Sequence, residues 1–261
     1  MFNRFKDDLK KYWKYAIYSS NAQLKSEIAN SYLNWLWWIL DPLLFMCVYS
    51  FVSIIVFGKS EKYFAAFVFV GLSVWNFFSK TVNASVKMVK SNSSIVSKVY
   101  IPKYFLIMQR MLVNGFKMMI SFALVLVIMA LYRVPVSFKI LWFFPLLLIL
   151  LVITFAVSVI VMHFGVFVED LANLVNVFLR LVFYLSGIFY SIGKRVHGIY
   201  GAILLKCNPV ALIISNMRDV MLYDTKPMYL LLLVWLLIGL AVSWIGIKVI
   251  YKYENSYVKV I

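Results

Sequence analysis

Long apolar runs separated by short polar, lysine-bearing segments recur along this chain from position 33 to 251. Each run reaches roughly the 20 residues that a helix needs to cross the hydrocarbon core of a bilayer. Six crossings are expected, at about 33–57, 63–81, 104–131, 140–163, 171–192 and 228–250. The stretch before them has a different pattern. Phe2, Phe5, Leu9, Trp13 and Ala16/Ile17 share one side of a helix, with Arg4, Lys6, Asp7, Lys10, Lys11 and Lys14 elsewhere. That is the signature of an amphipathic helix lying in the membrane interface. Ser20 followed by Gln23 reads as a capping box, so a break near 19–21 and a fresh helix after it are expected. Between 196 and 218, "VHGIYGAILLKCNPVALIISNMR" holds two apolar pieces split by Asn208-Pro209, each too short to span. They fit a re-entrant pair whose irregular backbone is covered by protein. The expected fold class is therefore an all-α integral membrane protein. Residues 1–30 form the interfacial helix and linker, and residues 31–261 the six-helix membrane domain with its external re-entrant pair before the last helix.

Composition strengthens this reading, since 64% of the 261 residues are hydrophobic and only 14% are charged, far from a soluble domain. The net charge of +16 does not point to nucleic acid, because the basic residues sit between apolar runs where anionic lipid is the counter-charge. Their distribution sets an orientation. Six lysines and arginines lie in residues 1–30 and five in 80–103, against two in 58–63 and two in 132–139. Both termini are then cytoplasmic and the re-entrant segment external. Charges interleaved through the first 20 residues leave no unbroken apolar core, so a cleaved signal sequence is not expected there. Cys47 and Cys207 have neither metal-ligand nor disulfide spacing. No phosphate loop, HExxH, paired-cysteine or GxSxG motif occurs, so nucleotide, metal and nucleophile chemistry have no recognisable home in the chain. An enzyme is not expected. A membrane-embedded glycolipid transferase would need paired reactive groups, and the ten carboxylates are scattered. A channel or secondary transporter is another class, although no internal repeat is visible.

Four features are left to carry function. In "SYLNWLWWILDPLLF" (31–45), Trp35, Trp37 and Trp38 crowd together before Asp41-Pro42. Trp37 and Trp38 read first as interfacial anchors. Tyr32, Trp35 and Ile39 share a helix face, as do Phe183, Gly187 and Tyr190, and these aromatics either pack in the core or border a passage. Asp41 and Arg180 are charges at membrane depth, each costing about 3 kcal/mol if unpaired. They either pair with one another, line a polar conduit, or snorkel separately to an interface. The segment 79–103 places Val82, Val86 and Val89 at helical spacing, then Ile95, Val96 and Val99 before Pro102. It reads as a short helix along the membrane that presents Lys87, Lys90 and Lys98 to a partner protein, or as a basic loop on anionic lipid. In the segment 164–175, Glu169 and Asp170 serve either to cap the next helix or to meet a partner. His163 and His197 lie too far apart in this topology to act as a pair.

The first helix, "LKSEIANSYLNWLWWILDPLLFMCVYSFVSIIVFG", resembles that of the type-2 ABC permeases that export polysaccharides, including O-antigen, capsule and teichoic acid exporters. Ser31, Leu33, Leu36, Trp37, Pro42 and Leu43 match the pattern, and Asn34 replaces its usual glycine. "IVSKVYIPK" is similar to the segment after the family's coupling helix, with Pro102 in place. "VFVEDLANLVNVFLRLVFYLSGIFYSI" resembles its fifth helix, with only Asp170 carried over from an Arg-Asp pair; "CNPVALIISNMRDVMLYDTKP" matches at Asn208, Pro209 and Arg218. The resemblance implies a homodimer in a bacterial plasma membrane, joined to two copies of a separate ATP-binding subunit and exporting a lipid-linked glycan. ATP and Mg²⁺ would be bound by that partner, leaving this chain without a cofactor. It also implies site residues. Tyr32, Trp35, Asp41, Arg180, Phe183, Tyr184 and Tyr190 would line the conduit. A coupling segment at about 80–103, through Val86, Lys87, Val89, Lys90, Ile95 and Lys98, would meet the ATPase together with Glu169 and Asp170. An exporter of small molecules with the same fold is the alternative within the family.

Overall fold

The structure is a computed structural model and describes residues 2–29, 34–52, 55, 61–196 and 198–260. Among these residues all regular structure is helical. Four helices are long and apolar enough to cross a membrane: α3 (Phe64–Val86), α6 (Tyr104–Leu131), α7 (Phe143–Phe167, extended to Phe138 by a 3-10 turn) and α12 (Tyr229–Val260). α3 is the axis of the bundle, lying against α6 on one side and α7 on another, while α12 runs along the outer side of α7. The close approach at the foot of the α3–α7 contact needs a glycine. A β-carbon on Gly165 would press into the Val86 carbonyl.

Two apolar helices are shorter. α2 (Trp37–Phe51) and α8 (Leu171–Leu185) have 15 residues each, about 22 Å of rise. Part of the expected 33–57 run lies outside the described residues. The expected 171–192 run does not continue as one helix: α8 stops at Leu185 because Gly187 takes a left-handed backbone, φ +64, that ends the helical path. α10 (Ile199–Cys207) and α11 (Pro209–Met221) meet at 98°. The corner sits where the sequence places it, with the Asn208 side chain accepting from the Val210 and Ala211 amides at 3.1 Å and Pro209 opening α11.

Two expectations fail at the basic end. No break occurs near 19–21, for α1 is continuous over Phe2–Ala29. The Ser20 hydroxyl donates to its own helix at Ile17 O, 2.8 Å away, so it caps nothing. Phe5, Leu9, Tyr12 and Ala16 pack against α6 and α12, with Tyr12 and Phe105 ring centroids 5.7 Å apart; Trp13 and Ile17 stay exposed. The apolar stripe of α1 is thus divided between protein and surroundings. The segment 79–103 is not one short helix either. α3 absorbs it up to Val86, and the chain then turns through α4 (Met88–Ser91) and α5 (Ser93–Val96). Val86 and Val89 are 2% and 1% exposed, tucked inward with Met88 and Val96, and cannot form a docking face. Lys87, Ile95 and Lys98 remain exposed.

Candidate functional site

A groove enclosing about 630 Å³ opens between α2, α3 and α8. Its polar wall follows from helical spacing. Asn76, Lys80 and Asn83 fall at i, i+4 and i+7 on α3, and Asn176 and Arg180 at i and i+4 on α8, so both helices turn a polar stripe to the same space. Asp41 faces them from α2, a turn-length before the aromatic side chains begin. Its carboxylate lies 3.8 Å from the Lys80 ammonium, with both side chains about half exposed. Arg180 lines the same groove, but no ion pair joins it to Asp41 among the described residues; the nearer α3 lysine takes that position.

Aromatic rings form the rest of the wall. Tyr49 stacks on Phe189 at 4.0 Å, Phe189 meets Phe183 edge-on at 5.4 Å, and Phe183 packs against Trp75 at 5.5 Å. Tyr184 borders the groove with two thirds of its surface exposed, and Tyr190 is fixed beside it by donating its hydroxyl proton to Tyr184 O at 3.0 Å. Of the conduit residues expected from the sequence, Asp41, Arg180, Phe183 and Tyr184 meet at this groove. Trp35 is exposed and not part of its wall, and Tyr32 lies outside the described residues. Lys80, Asn76 and Asn176 were not anticipated. The periodic polar stripe within an otherwise apolar α3 was the available signal.

The re-entrant-region residues converge at the end of the bundle where α3 begins. Arg218 is 4% exposed, and its guanidinium donates from Nε to Phe67 O at 2.9 Å, from Nη1 to Gly187 O at 2.8 Å and from Nη2 to Ile188 O at 2.7 Å. It also lies over the Phe67 ring, 3.4 Å from its centroid. Asn208, besides capping α11, donates to Ser186 Oγ at 3.0 Å. Both residues therefore grip the turn that ends α8. Gly71 leaves room for the arginine, since a β-carbon there would stand 2.5 Å from Nη2.

At the opposite end, the two loops singled out in the sequence touch. Lys90 Nζ bonds Glu169 Oε1 at 2.9 Å. The Lys90 ammonium holds the exposed Glu169 carboxyl below the ordinary glutamate range. Asp170 is exposed at the start of α8 without a capping hydrogen bond from its side chain. The same end is tied together by Arg4, which bonds Glu254 at 2.8 Å and Tyr100 at 2.6 Å, joining α1, the stretch before α6 and the tail of α12. His163 bonds the Tyr257 hydroxyl at 2.6 Å, a contact between α7 and α12, while His197 lies outside the described residues.

No family model matches the chain. Curated relatives do. An O-antigen export system permease protein RfbA of Klebsiella pneumoniae is 25% identical over 246 residues, 93% of each chain. This chain is similar to O-antigen export permeases. A second Klebsiella pneumoniae protein of that name is 23% identical over the same 93% of each chain, and one from Myxococcus xanthus is 26% identical over 210 residues, 79% of this chain and 81% of the relative. The polysaccharide-export likeness drawn from the first helix, the fifth helix and the Asn208–Arg218 stretch is thereby borne out along most of the sequence.

Proposed function

We propose that this chain is the membrane permease subunit of an ABC exporter that moves a lipid-linked polysaccharide of O-antigen type out across the plasma membrane. The observation that carries it is the α2–α3–α8 groove, in which Asp41, Lys80 and Arg180 stand beside the rings of Tyr49, Phe183 and Trp75, the first two joined through Phe189. Charged and amide groups at membrane depth are costly and mark substrate paths. A travelling polymer needs weak, repeated contacts, which flat apolar ring faces and hydroxyl-matching side chains provide without holding any one sugar.

In this reading α2, α3, α6, α7, α8 and α12 make six crossings and the 98° corner of α10 and α11 is the external re-entrant pair. Two copies face one another across α2 and α8, enclosing the groove as a conduit. ATP and Mg²⁺ are handled by two partner subunits beneath the membrane. Their closure is felt first by the exposed Lys87, Ile95 and Lys98, which lie on α5 and on either side of the α4–α5 pair, and the Lys90–Glu169 bond carries that displacement to the start of α8. The chain itself makes and breaks no covalent bond.

Deleting the gene in its host tests this reading. Surface polysaccharide should disappear while lipid-linked glycan accumulates inside, and a partner ATPase unable to hydrolyse ATP should give the same phenotype. Normal surface glycan in the deletion strain would overturn the proposal.

A further inference from the structure

A second cavity, of about 230 Å³, lies on the other side of α2, between α2, α3 and α6. Asp41, Asn76 and Lys80 stand on the wall that it shares with the groove. Trp37, Trp38, Asn114 and Lys117 belong to it alone among these two spaces. It is smaller than the 300–1,000 Å³ or so of pockets for drug-sized ligands, so an oligosaccharide does not fit within it.

We infer that this cavity is a subsite for a single neutral sugar ring of the glycolipid, an inference that rests on the export reading above. Three observations define the ligand. The first is charge balance: Lys80 faces Asp41, and Lys117 is bonded to Glu27 of α1. Arg110 shares Glu27 at 3.9 Å, but a phosphate entering the cavity would still be repelled by the Asp41 carboxylate on its wall, whereas a hydroxyl can donate to Asp41 and accept from Lys80. The second is unused hydrogen-bonding capacity. At 3.8 Å, Asp41 and Lys80 are beyond hydrogen-bond length, and the Asn76 amide has no hydrogen-bond partner among the described residues. Each keeps donors or acceptors for a ligand bearing several hydroxyls. The third is the aromatic border. Trp38 is held edge-on to Phe116 at 5.8 Å with the Lys117 ammonium 5.7 Å over its ring, which leaves Trp37, 48% exposed, as the aromatic ring at the cavity for sugar C–H groups.

The test uses the full chain in nanodiscs of phosphatidylcholine with two probes of equal chain length, octyl glucoside and octyl phosphate. Saturation-transfer NMR reads which probe protons touch the protein, with empty nanodiscs as the blank. Glucoside ring protons should gain signal that octyl phosphate does not displace. Ser121→Phe, which fills the cavity from α6, should abolish that gain. Trp37→Ala, at an exposed position, should weaken the probe about five-fold, the scale of one aromatic contact, and serves by itself if the filled variant does not fold. Preferential binding of octyl phosphate, or a glucoside signal unchanged in the folded variants, would sink the inference. The deletion phenotype reads export and this experiment reads the cavity, so the two proposals fail separately.

Discussion

α3 and α8 are both apolar, yet 17 of the 23 residues of α3 are buried against 3 of the 15 in α8, and in α2 only Pro42 is buried. α3 is enclosed by α6, α7, α11 and the margins of α2 and α8, and at its start Arg218 clamps the backbone to the turn after α8. α2 and α8 expose Leu44, Val48, Phe51, Val177, Leu181 and Tyr184. The contrast separates a scaffold from a wall. Closely packed interiors transmit displacement and resist it, whereas helices with few buried contacts reposition at low cost. The groove lies on the boundary, taking its fixed side from α3 and its adjustable sides from α2 and α8.

The contrast can be broken most strongly at Arg218. Arg218→Met leaves the Phe67, Gly187 and Ile188 carbonyls without their buried donor and should cost about 3 kcal/mol or more, read as a lowered thermal unfolding midpoint and less folded protein. A smaller loss, about 1–3 kcal/mol, is expected for Gly71→Ala, whose methyl displaces the guanidinium. The double variant should lose less than the sum, because both changes act on one contact; strict additivity in the same melting experiment would contradict the clamp.

Substitutions in the groove should behave in the opposite way. Lys80→Gln or Asp41→Asn removes a half-exposed pair whose stability contribution is at most about 1 kcal/mol, so melting should barely change while export in cells falls several-fold. An unaltered export rate would move the polymer path elsewhere. The smallest effect is on pH. Because Lys90 lowers the Glu169 pKa in the folded chain, their bond contributes above the unfolded carboxyl range, near about 4.3, and is lost as pH falls through the folded value. Protection of residues 87–92 against hydrogen exchange, taken relative to the intrinsic amide rate at each pH, should therefore be greater at neutral pH than in acid, and Glu169→Gln should show the lower protection at both.

Several elements were open to reading from residues alone. The boundaries 104–131 of α6 appear unchanged in the structure because apolar helix formers dominate from Tyr104 to Leu131 in spite of Gln109, Arg110, Asn114 and Lys117. The corner at Asn208-Pro209 was equally legible, since an asparagine cap before a proline is a local signal. The continuity of α1 was not. Ser20 and Gln23 satisfy a capping pattern, and only the presence of α6 beside them favours one uninterrupted helix with Ala16 fully buried. Val86 and Val89 had the spacing of a docking face and instead close the foot of the core. Asp41 and Arg180 stand out in the sequence as costly charges, but their partners depend on which helix stands nearest, and Lys80 shows its place only as part of a polar stripe with Asn76 and Asn83.

The sequence by itself determined that the chain is helical, apolar in long runs, basic between them and cornered at Asn208, because periodicity, capping and the avoidance of unsatisfied backbone in lipid are local matters. Only the tertiary structure decided which apolar faces are covered, where Arg218 finds its three carbonyls and which lysine stands opposite Asp41. In a chain this apolar, hydrophobicity no longer tells inside from outside. The difference is made by close packing between helices far apart in sequence.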